Sequence, residues 1–478
     1  MSGSKMERGR YIALTIVMTG VFMSVLDSVA LNIALPAITS DFQVTVADTQ
    51  WVVTIYLLAQ TCFLIIAGKV AERTGQARMF TAGLGVFTIS SLLCATSSSL
   101  GQLITFRLVQ GIGASMLFSV STAIIFQVFG PRERGKAMGF VGSTVAVGAM
   151  LGPVIGGFLV GTLGWQSIFM INVPTGLVAT LVAIKIMRID EVLVDRLRMD
   201  YPGAVLWIIS MASLMLMLGE LGQTAVPSIA AMVYLAIFVL SLILFIVRER
   251  RVTNPLLDIS VFRVRRFTLT GLSMIMFFMS MNMVTILGPF YYEGVLDYGP
   301  EQIGLIFMVL PTVTMFGSPI VGRMYDRKPS RPYAAAGHAV RVFSFLLMAY
   351  SFLNLNVLLS VVGFFFMGIG SSLFQAPNNS DMMLSLPREK SGVASSLQAT
   401  IRNLSMSMGV SLATILMTFM MGSMDYGAIA GGPLAGELAS SVSIAVVVGG
   451  ALSLIGVVIS RMGERATEEE ALSAQTAS

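Results

Sequence analysis

A chain of 478 residues that is 55% hydrophobic and only 12% charged, with a mean hydropathy of +0.83, has too few charges to cover a large soluble domain. Its two cysteines, Cys62 and Cys94, sit in apolar stretches and fit neither a disulfide framework nor a zinc motif. The one histidine, His338, has no ligand cluster around it, so no metal is expected and His338 reads as a residue near a membrane edge.

A bilayer core about 30 Å thick needs about 20 apolar helical residues to cross it. Fourteen stretches meet this length, at 11–38, 49–71, 79–98, 101–129, 136–160, 165–187, 202–220, 228–247, 266–292, 303–325, 333–354, 356–383, 392–421 and 440–461. The first follows a short basic start, but it is too long for a signal-peptide core and contains Asp27, so it reads as an uncleaved span. Place the N-terminus in the cytoplasm and alternate the spans. All but three of the 30 Lys and Arg then fall in cytoplasmic connections and none in external ones. The three exceptions, Arg107, Arg341 and Arg402, lie within spans. External connections instead carry Asp41, Asp48, Glu293, Asp297, Glu301, Asp425 and Glu437. The net charge of +5 therefore reflects topology and anionic lipid and implies no nucleic-acid partner. The expectation is an all-α multi-span protein of the plasma or inner membrane, with both termini cytoplasmic and a polar, disordered tail at 464–478.

An internal repeat divides the chain. Gly68-Lys69-Val70-Ala71-Glu72-Arg73 returns 254 positions later as Gly322-Arg323-Met324-Tyr325-Asp326-Arg327. Gly111-Ile112-Gly113 returns after 257 as Gly368-Ile369-Gly370, and Pro131-Arg132-Glu133-Arg134 after 256 as Pro387-Arg388-Glu389-Lys390. Nearly one offset implies two related six-helix halves, 1–188 and 266–463, with two unpaired helices and their linkers at 189–265. The positions matching Asp27 and Arg107 fall near Asn282, Met283 and Phe364, so the second half lacks both charges at these places.

Asp27 is the one ionisable side chain deep in the first span. A carboxylate in lipid costs several kcal/mol, so such a residue faces the protein interior or a water-filled path. Two readings stand: a buried carboxyl that only helps helices pack, or a proton or cation site. Arg107 lies about 10 Å below the outer surface and Asp27 about 17 Å, close enough to share one cavity through a long side chain. Alternatively, Arg107 snorkels to the headgroups. Gly148, Gly152 and Gly156 recur every four residues and make one smooth helix face, bent at Pro153. The methionines at 274, 276, 279, 281 and 283 either pack or line a cavity for greasy molecules.

These stretches carry a resemblance. Gly68–Arg78 resembles the loop motif between helices two and three of the major facilitator superfamily, with Glu72 where that family prefers Asp. Arg107-Leu108-Val109-Gln110-Gly111-Ile112-Gly113-Ala114 resembles its fourth-helix motif, and Gly142, Gly148, Gly152-Pro153, Gly156 and Gly157 its antiporter motif of helix five. Leu26–Pro36, Trp165–Pro174 and Asn254–Phe262 are similar to further stretches of the fourteen-helix drug:proton antiporters of the EmrB/QacA type. Arg402 stands in a thirteenth-helix motif in which Ser405 and Met406 replace glycines, and no role is assigned to it.

The resemblance implies a major facilitator fold of 6+2+6 helices and a secondary transporter that exports lipophilic, often cationic compounds against protons. It implies that Asp27 and Arg107 couple proton and substrate, that Gln110 and Gly111 belong to the fourth-helix motif, and that Gly68, Glu72, Arg73, Gly75 and Arg78 form a cytoplasmic latch. Gly148, Gly152, Pro153, Gly156 and Gly157 become the hinge on which the halves pivot and seal. A dedicated exporter of one endogenous lipid or metabolite, and a non-transporting membrane sensor, are the alternatives. No nucleotide-binding loop or Ser-His-Asp set is present in the sequence, so the energy is expected from a proton gradient without a cofactor, in a monomer whose partners are small molecules, protons and lipid.

Overall fold

The computed structural model describes residues 2–129, 134–187, 200–224, 228–252, 255–257, 259–328, 332–386, 391–421 and 435–476. Among them, fourteen helices are long and apolar enough to cross a membrane. In chain order they are α1 (Gly9–Phe42), α2 (Val46–Ala71), α3 (Gln76–Ala95), α4 (Leu100–Ile125), α5 (Phe140–Leu163), α6 (Gln166–Ile186) and α7 (Tyr201–Gln223). There follow α8 (Ile229–Glu249), α9 (Arg265–Leu296), α10 (Pro300–Tyr325), α11 (Tyr333–Leu353), α12 (Val357–Leu384), α13 (Leu397–Met421) and α14 (Ala435–Gly463). Each matches one expected stretch in order. Helix is the form that satisfies every backbone N–H and C=O within an apolar segment. The bundle has an acidic end, with Asp41, Asp48, Asp297 and Glu301, and a basic end, with Lys69, Arg73, Arg78, Lys185 and Arg250. The final helix continues to Thr476 instead of fraying at 464, in keeping with a run rich in Ala and Glu. The recurring Pro131–Glu133 and Pro387–Lys390, and Asn254 and Asp258 of the linker, lie outside the described residues.

Helices α1–α6 pack as one bundle and α9–α14 as another. The two meet along three lines: α5 against α10, α2 against α13, and α1 against α9. The repeat offset pairs α2 with α10 and α5 with α13, so the first two seams are the same contact seen from opposite halves. They are not dressed alike. Helix α7 lies over the α2/α13 seam and touches both halves, whereas α8 packs on α7. Trp51 of α2 fits over Gly219, Thr414 of α13 sits beside Gly222, and Ser407 of α13 contacts the Met215 sulfur at 2.9 Å. Beneath α7, the buried amide of Asn403 on α13 donates to Gln60 Oε1 on α2 at 2.8 Å, joining the halves directly.

The glycines of α5 serve two faces. Gly148 lies against Val25 and Phe22, Gly152 against Val29, and Gly156 against Ala30, all on α1 of the same half. The other half is reached through Gly157 and Pro153: the Pro300 carbonyl lies over Gly157, and the Pro153 carbonyl lies over Gly304 of α10. The four-residue stripe thus fixes α1 to α5, and only the adjoining face meets the partner bundle. A repeat of small residues specifies close approach, not which helix approaches.

The α5/α10 seam is tight around Pro153, Gly157, Pro300 and Gly304, whereas two glycines nearer the basic end have space beside them among the described residues. Gly142 stands eleven residues before Pro153, about three turns and so on the same face of α5. A methyl group there would meet open space among the described residues. Gly322 stands eighteen residues after Gly304, about five turns along α10, and it too faces open space. Gly304→Leu would have to displace the Pro153 carbonyl. Overpacking of this kind costs about 1–3 kcal/mol, a roughly 5- to 150-fold shift away from the closed seam. Spin labels at Thr162 and Gln302, both exposed at the acidic end, should move apart in that variant in double electron–electron resonance.

Candidate functional site

Close helix packing builds the site. On α4, Gly111 lets the α2 backbone at Tyr56 approach so closely that a β-carbon there would lie 2.6 Å from the Tyr56 carbonyl. Gly113 does the same for α3 at the Phe87 amide, 2.7 Å away. Arg107, one turn before Gly111, is thereby laid along α2: its Nε donates to the Val52 carbonyl at 3.2 Å and its guanidinium carbon lies 4.1 Å from the Tyr56 ring centre. On α6, Gly176 sits tight against Thr88 of α3, which carries Asn172, one turn earlier, to Ser91.

At the meeting point is Asp27. Arg107 Nη1 donates to Asp27 Oδ2 at 2.5 Å and to Gln110 Oε1 at 2.7 Å. Asp27 Oδ1 accepts from Asn172 Nδ2 at 2.9 Å and from Gln110 Nε2 at 3.1 Å. Both amides also reach Ser91 Oγ at 3.3 Å, and that hydroxyl donates to the Phe169 carbonyl at 2.9 Å. Tyr56 closes the group by a 2.7 Å bond to Ser24. Asp27 is 0% exposed and Arg107 1%. Arg107 therefore does not snorkel; it neutralises Asp27 within the bundle.

Sequence reasoning paired Asp27 with Arg107 but missed Asn172, Ser91 and Tyr56. The first stands in the Trp165–Pro174 stretch, and nothing in the spacing of these uncharged residues points at an acid on α1. The other named positions lie apart from this cluster. Gly75 adopts φ +101° and makes the turn between α2 and α3. Gly68 has room, its nearest neighbour Ser119 lying 3.9 Å from where a β-carbon would be. Arg73 and Arg78 are exposed at the basic end, and the Glu72 side chain lies outside the described residues.

The second bundle has a different interior. Arg341 is 0% exposed; its Nη2 donates to Ser280 Oγ at 2.9 Å and its guanidinium carbon lies 3.9 Å from the Phe277 ring centre. No acid pairs with it among the described residues. His338 is buried as well, near the start of its helix but turned inward against Ser273, Phe374 and Gly456. Arg402 is half-buried on α13 beside Asn403. At the basic end Asp381 of α12 takes Arg266 at 2.5 Å and the Tyr325 hydroxyl at 2.7 Å.

A multi-span bundle in two pseudo-repeated halves, with a neutralised acid inside one of them, defines a membrane carrier. Residues 17–410 match the family described as Major Facilitator Superfamily. The chain belongs to that superfamily, within its drug:proton antiporter family, and is a transporter and not an enzyme. It is 34% identical to the riboflavin transporter RibZ of Clostridioides difficile over 84% of this chain and 86% of the relative. It is 30% identical to the multidrug export protein EmrB of Escherichia coli K12 over 86% and 81%, and 29% identical to the multidrug resistance protein Stp of Mycobacterium tuberculosis over 84% and 75%. In fold it is similar to a bacterial homologue of the human lysosomal transporter Spinster (TM-score 0.71, 13% identity, 96% of this chain and 97% of that one). It is likewise similar to a peptide transporter POT (TM-score 0.69, 15% identity, 95% of each chain).

Removing one member of a buried ion pair strands the other and costs about 3–5 kcal/mol, whereas removing both leaves no orphan charge. Arg107→Leu should therefore destabilise the purified protein more than the double variant Asp27→Asn/Arg107→Leu. Thermal unfolding in detergent, read by intrinsic fluorescence, checks the order.

Proposed function

We propose that this protein is a proton-driven multidrug exporter that moves lipophilic, often cationic compounds outward by alternating access. The observation that carries the reading is Asp27: a carboxylate wholly inside the membrane bundle, neutralised by a single cation, Arg107, beside the helix whose other face meets the second half. The positive-inside rule puts the basic end in the cytoplasm, with both termini there, in the cell membrane. The close α5/α10 contact at Pro153, Gly157, Pro300 and Gly304 then lies toward the external side. The loop from Gly68 to Arg78 serves as the cytoplasmic latch, and Gly148, Gly152, Pro153, Gly156 and Gly157 let α5 carry α1, and with it Asp27, as the halves rock. The working unit is a monomer in contact with membrane lipid.

The chemistry follows from charge. With Asp27 ionised, Arg107 holds it and the site is neutral. A proton arriving from outside neutralises Asp27 and frees Arg107. On the inward side the proton leaves, and either Arg107 or a cationic substrate satisfies the carboxylate. Each proton crossing down 100 mV supplies about 2.3 kcal/mol, enough for roughly a 50-fold substrate gradient. The names of EmrB and Stp support drug export. The name of RibZ favours a second reading, a carrier devoted to one metabolite.

Asp27→Asn in reconstituted liposomes should abolish substrate-dependent proton movement, and Arg107→Ala should impair coupling more than substrate binding. Retained proton movement in Asp27→Asn would sink the proton role. A panel of lipophilic cations, neutral dyes and riboflavin in the same liposomes separates the two readings: transport of one compound alone rejects polyspecificity.

A further inference from the structure

We propose that the transported proton is held on Oδ2 of Asp27 and not on Oδ1, that it exchanges with Arg107 at this one oxygen, and that Asn172 is the positioning residue that reserves the other. This rests on the reading of Asp27 as the proton site.

The two oxygens differ in their partners. Oδ2 has Arg107 Nη1. Oδ1 has two neutral amide donors, from Asn172 and Gln110. Their orientations are fixed by the neighbours. Gln110 Oε1 accepts from Arg107, so Nε2 must be the atom turned to Asp27. Asn172 Nδ2 faces Asp27 Oδ1, Ser91 Oγ and, at 3.5 Å, the Ile168 carbonyl. The reversed amide would set its oxygen against a carboxylate and a carbonyl. Ser91 commits its proton to the Phe169 carbonyl, which leaves its lone pairs free to accept from both amides. A proton on Oδ1 would thus point at N–H groups that cannot accept it. On Oδ2 it meets only the position that Arg107 gives up.

Arg107 can give up that position without being stranded. Its Nη1 keeps Gln110 Oε1, its Nε keeps the Val52 carbonyl, and its charge stays over the Tyr56 ring. Loss of one bond suffices, and the carboxyl does not turn, because Asn172 on α6 and Gln110 on α4 continue to grip Oδ1. The protonated acid then has a defined form: O–H at Oδ2 and a C=O at Oδ1 that accepts two hydrogen bonds.

Infrared difference spectroscopy tests this on the full chain in lipid, titrated with acid. Carbon-13-labelled aspartate and Asp27→Asn together assign the Asp27 carboxyl band. In the wild type its C=O stretch should fall at the low frequency of a doubly hydrogen-bonded carbonyl, and Asn172→Leu should move it upward. Asn172→Ala, which adds no bulk to the helix contact, should move it in the same direction. A wild-type band at the frequency of a free carbonyl, or a band unmoved in both variants, overturns the assignment of the oxygens while leaving Asp27 the proton site. The absence of any Asp27 band overturns the proton reading itself, and this assignment with it.

Discussion

Everything in the first bundle is arranged around the difficulty of keeping a carboxylate where there is no water. An isolated charge in such a place is unfavourable by several kcal/mol, and pairing offsets this only when the geometry is good and the remaining lone pairs are satisfied. Both conditions are met at Asp27. One oxygen receives a cation and the other two amides, from the two helices α4 and α6. The glycines of α4 and α6 are the precondition. Without the close approaches at Gly111, Gly113 and Gly176, Arg107 and Asn172 would stand too far from α1 to reach the acid. Sequence features that look like generic membrane packing motifs are therefore what make a buried charge tolerable here.

The same packing ties the charge to the seam between the halves. Asp27 lies on α1, and α1 is fixed to α5 through Gly148, Gly152 and Gly156, while the next face of α5 meets α10 through Pro153 and Gly157. Helix α5 thus touches both the helix that carries the acid and the partner half. Among the described residues the second bundle offers no counterpart. Its buried Arg341 rests on Phe277 and Ser280 in place of a carboxylate. The two halves share a fold by duplication but not their electrostatics.

The fold was largely legible in the sequence because lipid imposes its own code. Twenty-residue apolar runs, sign-segregated charges and a constant repeat offset act on backbone and topology, which need no knowledge of partners. Asp27 and Arg107 were legible for the same reason: a charge in an apolar span is rare enough to stand out. Asn172, Ser91 and Tyr56 were not, since uncharged polar residues are common in spans and their partners are set by helix rotation, which hydropathy does not encode. The stripe on α5 announced close contact but not with which helix. The turn of His338 and Arg341 into the interior, and the continuation of the last helix to Thr476, likewise depend on local packing and helix propensity rather than on polarity.

The unequal dressing of the two seams has a consequence for molecules dissolved in the bilayer. Duplication alone would give a carrier two equivalent lateral windows, one on each flank. Helix α7, seated on Trp51, Ser407 and Thr414, covers the α2/α13 flank along its length, and α8 thickens that wall. The α5/α10 flank keeps its lipid frontage. Seen from the bilayer, the carrier thus has a front and a back, set by which flank the two added helices cover.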